Sequence, residues 1–128
     1  MNRDEFLVAY TNTVRQACNC FEKARREGLL ALLLDFPEVE NKADSRDIFC
    51  YGIQLVVDGT DANIIDKILS NIINQEKDDY TRLLKTIQKE AILAIQGGCN
   101  SRLLMCLMNS YTDMSLKEDK AYQANSKD

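Results

Sequence analysis

The sequence predicts an all-α protein: a small domain of four to five helices, with residues 62–96 forming either one long helix or two packed ones. Three observations carry this. Apolar residues recur at three- and four-residue steps along most of the chain, the spacing of one helical face. One Pro and five Gly in 128 residues leave little punctuation, so turns should be few and helices long. The one stretch that could be a strand, Ile53-Gln54-Leu55-Val56-Val57, has no second segment to pair with, which would leave its backbone groups unsatisfied.

The first helix is expected from Asp4 to about Leu34. Phe6, Leu7, Tyr10, Val14, Ala17, Phe21, Ala24, Gly28, Leu29 and Leu32 share its apolar stripe; Asn2 can cap it, and Asp4 and Glu5 suit its positive end. Beyond Gly28 the run Leu29-Leu30-Ala31-Leu32-Leu33-Leu34 is apolar all round, so it is buried on several sides or meets a partner. Asp35 to Asp47 reads as a solvated connection in which Pro37 ends the helix, with Ser45 or Asp47 capping the next element. Ile48, Phe49, Gly52, Ile53, Val56 and Val57 then fit one helical face. Gly59 suits a left-handed stop after that helix, and Thr60 or Asp61 a following cap. From Ala62 the stripe is Ile65, Ile68, Leu69, Ile72, Ile73, then Tyr80, Leu83, Leu84, Ile87, Ala91, Ala94 and Ile95, interrupted by the polar stretch Asn74 to Asp79. Gly97-Gly98 ends it, and Asn100 or Ser101 caps a last short helix carrying Leu103, Leu104, Cys106, Leu107 and Met108. Residues 1–113 make one domain, and the polar tail over 114–128 is expected to fray.

Composition excludes several function classes. A net charge of −4 argues against a nucleic-acid binder, which needs a basic stripe. The absence of His removes the usual general base and the commonest metal ligand. Cys18, Cys20, Cys50, Cys99 and Cys106 include no C-x-x-C pair, and Cys18 and Cys20 would point about 200° apart on a helix. They read as reduced thiols of a cytoplasmic protein. No charge-free stretch approaches the roughly 20 apolar residues of a spanning helix, so no membrane insertion is expected.

Val56-Val57-Asp58-Gly59-Thr60 invites comparison with the D-x-D-G-T phosphotransferase signature, but Val56 stands where the nucleophilic Asp is needed. A calcium loop fails too, because Ala62 breaks the alternating oxygen ligands. Gly97-Gly98 lacks the G-K-[ST] of a phosphate loop. The expectation is a non-enzymatic protein with no cofactor and no metal. In Glu22-Lys23-Ala24-Arg25-Arg26-Glu27, Glu22 lies three and four residues from the arginines, so it can pair with one of them along a helix face.

Two segments carry a family resemblance. Ala24-Arg25-Arg26-Glu27-Gly28-Leu29-Leu30-Ala31-Leu32 resembles the A-R-R-E-G-L-L-A-L-E segment of the MotA flagellar stator family. Tyr51-Gly52-Ile53-Gln54-Leu55-Val56-Val57-Asp58-Gly59-Thr60-Asp61 is similar to its G-L-Q-L-V-V-D-G-T-D segment. The likeness spans roughly residues 20–75. In that family these segments form the cytoplasmic region between the second and third membrane helices, whose charges engage the rotor switch protein FliG. By position Arg25 matches the rotor-facing Arg, while Leu33 stands in place of the family's Glu. The family's flanking membrane helices have no counterpart, since Lys85, Lys89, Glu90 and Arg102 interrupt the later segment. The resemblance therefore implies a soluble relative of the stator's cytoplasmic region that binds protein partners such as rotor or stator components. Arg25, Arg26 and Glu27 would set register, with Leu29, Leu30, Leu33 and Leu34 giving apolar contact. A self-associating helical module with no motor role is the alternative.

Overall fold

Asn2 opens the first helix, α1 (Arg3–Glu27), with a capping box: its side chain accepts from the Glu5 N–H at 2.8 Å, and the Glu5 carboxylate accepts from the Asn2 N–H at 2.9 Å. The computed structural model describes residues 1–34 and 47–112. Every regular element among them is helical: α1, a 3₁₀ segment at Leu29–Leu34, α2 (Ile48–Val57), α3 (Ala62–Ile73), α4 (Asp79–Gly97) and α5 (Ser101–Asn109). The connection over 35–46, with Pro37 and Ser45, and the expected tail over 114–128 lie outside the described residues.

One expectation is revised. α1 stops at Glu27 instead of running to Leu34, because Gly28 takes φ +89° and ψ 162°, a region open in practice to glycine alone. Length explains the break. At 1.5 Å per residue α1 is already about 37 Å long against about 28 Å for α4, so a straight continuation would overrun its neighbours. Turning at Gly28 lays the 3₁₀ segment against α1 and α2 and buries Leu32 completely.

Of the two alternatives for 62–96, the structure has two helices, α3 and α4. The polar residues between them form the turn, where the Lys85 ammonium lies 3.1 Å from the Glu76 carboxylate and the Arg82 guanidinium donates to the Glu76 carbonyl at 3.0 Å. Asp78 then caps α4, accepting from the Thr81 N–H at 2.8 Å and the Thr81 hydroxyl at 2.7 Å.

The other caps follow the sequence closely. Asp47 caps α2 by accepting from the Cys50 N–H, and Asn100 caps α5 by accepting from the Leu103 N–H. Asp61 holds the cap position of α3 but makes no side-chain capping bond. Gly59 (φ +79°) and Gly98 (φ +75°) close α2 and α4 in left-handed turns.

Helix α4 touches each of the other four helices and organises the bundle. Phe6 meets Tyr80 and Thr13 meets Gln88, so α1 runs parallel to α4. Asp66 meets Lys89 while Glu76 meets Lys85, so α3 runs antiparallel to it. Tyr10 with Asn109 and Cys18 with Met105 set α5 antiparallel to α1. Thus α1, α2 and α4 finish at one end of the bundle, where α3 and α5 begin. The core gathers Phe6, Tyr10, Leu32, Phe49, Ile53, Ile65, Leu69, Ile87, Ile92 and Leu104.

The Asp78 carboxyl is held at about 2 by the Thr81 hydroxyl, the Thr81 N–H and the Met1 ammonium at 3.2 Å. A folded value below the ordinary Asp value near 3.9 means its stabilisation is present above about pH 4 and lost as pH falls toward about 2. Asp78→Asn keeps a capping side chain and loses the charge, so plots of urea midpoint against pH should be flatter for this variant between about pH 4 and 2.

Candidate functional site

The candidate surface begins on the last two turns of α1. Arg25, Arg26 and Glu27 are all exposed. Arg25 pairs with Glu22 at 2.9 Å, and Arg26 Nε donates to the Glu22 carbonyl at 3.4 Å. The Glu22–Arg25 pair is open to water, so it adds about 0.3–0.5 kcal/mol to helix stability and leaves both charges on the surface.

Gly28 then divides the following residues between core and solvent. Leu32 is fully buried, Leu29 and Leu33 are half-buried, and Leu30 and Leu34 are 72% and 74% exposed. Of the seven residues expected to meet a partner, five (Arg25, Arg26, Glu27, Leu30 and Leu34) are exposed, and Leu29 and Leu33 are half-buried.

Chain direction brings two more side chains to this end of the bundle. Ile64, in the first turn of α3, is 48% exposed, and Leu103, in the first turn of α5, is 57% exposed. With Leu30 and Leu34 they make four of the six exposed large apolar side chains among the described residues. Ile64 escapes a sequence reading because it sits beside the buried stripe of α3, where one residue's difference in register separates core from surface.

The second motif has a structural role. Gly52 lies where α2 crosses α4, against Ile92. Gln54 donates to the Asp58 carboxylate at 2.7 Å, and Gln96 of α4 donates to the Thr60 carbonyl at 2.8 Å. Asp58 therefore accepts a hydrogen bond at the end of α2, and the Thr60 carbonyl ties the following turn to α4.

Two other clusters were candidates for chemistry. The Lys89 ammonium sits 2.7 Å from Asp66, 3.1 Å from the Ser70 hydroxyl and 3.3 Å from Glu90. Burial works against its charge, but the Asp66 hydrogen bond and the two carboxylates outweigh that and raise its pKa. A basic or nucleophilic lysine needs the opposite shift, so this lysine clamps α3 to α4. None of the five cysteines forms a disulfide. Burial, and for Cys18 also the Glu22 charge, pushes Cys18 and Cys99 up, which disfavours the reactive thiolate. Among the described residues no three His, Cys, Asp or Glu side chains gather to hold a metal ion, and no helix is long and apolar enough to cross a membrane. No family model, curated protein or solved structure matches this chain.

Proposed function

We propose that this chain is a non-enzymatic, cytoplasmic protein-binding component of a bacterial flagellar motor, related to the intracellular region of the MotA stator, and that it docks through the end of α1 and the leucines after it. The observation that carries this is the exposure of Leu30 and Leu34, a few residues along the chain from the exposed Arg25, Arg26 and Glu27. Exposed apolar side chains close to charged ones suit a protein-binding surface. In such a surface the leucines supply most of the affinity, and the charges steer approach and orientation. Leu33, where the stator family has Glu, is half-buried, so apolar contact replaces one side of the family's charge pair.

The test is affinity capture from motile cells. The native chain should recover rotor or stator proteins, and Leu30→Glu/Leu34→Glu should lower that recovery at least about tenfold with an unchanged melting temperature. Arg25→Glu should weaken recovery less, and chiefly at low salt. Equal recovery by native chain and leucine variant would place the surface elsewhere, and recovery of no motor protein by the native chain would end the motor assignment.

A further inference from the structure

We propose that Leu29–Leu34 is a two-state latch: closed as the 3₁₀ segment with Leu32 in the core, and open as a continuation of α1 that carries Leu32 out. Local and tertiary preferences conflict at this segment. Leu and Ala, its only residues, are among the strongest α-helix formers, yet all six adopt 3₁₀ geometry. Such runs seldom exceed three or four residues, because their hydrogen bonds are poorer. What opposes the α form is Leu32, the only fully buried side chain of the six. A Cβ built on Gly28 would meet nothing within 4 Å, so an alanine there is opposed by its φ of +89° and not by a neighbouring atom.

In the open form Leu29 and Leu32 extend the stripe of Phe21 and Ala24 past the end of α4. That bare apolar face favours any partner able to cover it, and the partner's apparent affinity falls by the fraction of chains that are closed. The latch goes beyond the docking reading and is tested without any partner.

Amide hydrogen exchange on the full chain is the measurement. The amides of residues 29–34 should exchange as a group at least about 100-fold faster than those of residues 87–95, reporting an opening short of global unfolding. Gly28→Ala, which disfavours the closed φ and favours helix, should move the Cα chemical shifts of 29–34 toward α-helical values. Leu32→Ala should do the same by removing the anchor, so the idea remains testable if either variant folds poorly. Exchange of 29–34 only together with α4 would overturn the latch. So would shifts that stay fixed or move to coil values in both variants.

Discussion

Gly52→Val should lower stability by about 3 kcal/mol or more, a large part of the 5–15 kcal/mol typical of a whole domain. A Cβ at position 52 would lie 2.3 Å from Ile92 Cδ1 and 3.2 Å from its Cγ1 and Cγ2. Ile92 is fully buried, so it cannot swing into solvent to make room. Gly52→Ala meets the same obstruction, at a cost of about 1–3 kcal/mol, but gains about 1 kcal/mol of helix propensity. Valine adds two methyls and regains less. Ile92→Val deletes the offending Cδ1, so the double variant Gly52→Ala/Ile92→Val should be about 1 kcal/mol more stable than the two single effects predict. Urea denaturation of the four proteins measures this. Strict additivity would mean that α2 and α4 do not approach as closely as described.

Phe6→Ala should cost about 3–5 kcal/mol. The ring is fully buried, lies parallel to Tyr10 at a centroid distance of 5.9 Å, and meets Tyr80 in the first turn of α4 at 5.0 Å. It joins the start of α1 to the start of α4, so its removal leaves a cavity between two long helices and deprives both tyrosines of a neighbour. Phe6→Leu keeps most of the volume and should cost no more than about 1.5 kcal/mol. Comparable losses for the two variants, read from the same denaturation curves, would show that the site collapses around any smaller side chain.

The contrast between Phe6 and Ile92 shows what the sequence could reveal. Phe6, Tyr10, Val14, Ala17 and Phe21 lie on a single face because α1 packs on one side only, and periodicity finds such a face directly. Ile92 falls outside the expected stripe because α4 is surrounded by four helices and buries residues in several directions. Thr11 and Thr13 are buried too, hidden from a hydrophobic pattern because hydrogen bonds satisfy their hydroxyls: Thr11 donates to the Leu7 carbonyl, and Thr13 accepts from Gln88. Turn chemistry was legible at Asn2, Gly59, Gly98 and Asn100, where the local residue decides the geometry. The end of α1 was not, since Gly28 also falls on the apolar stripe that continues through Leu29 and Leu32 and so hides the stop that its φ of +89° makes. The candidate surface shares that limit. Arg25, Arg26 and Glu27 announce themselves as a charged run, but which leucines face water depends on the turn at Gly28 and on where Leu32 finds its pocket.

The most direct measurement is site-specific photo-crosslinking in motile cells, with the reactive side chain placed at Leu34 in one chain and at Val8, which is exposed near the opposite end of α1, in another. Docking through the α1 terminus predicts that Leu34 captures a rotor or stator protein identified by mass spectrometry and that Val8 does not. Capture from Leu34 of only a second copy of this chain, or of proteins unrelated to the motor, would contradict the account.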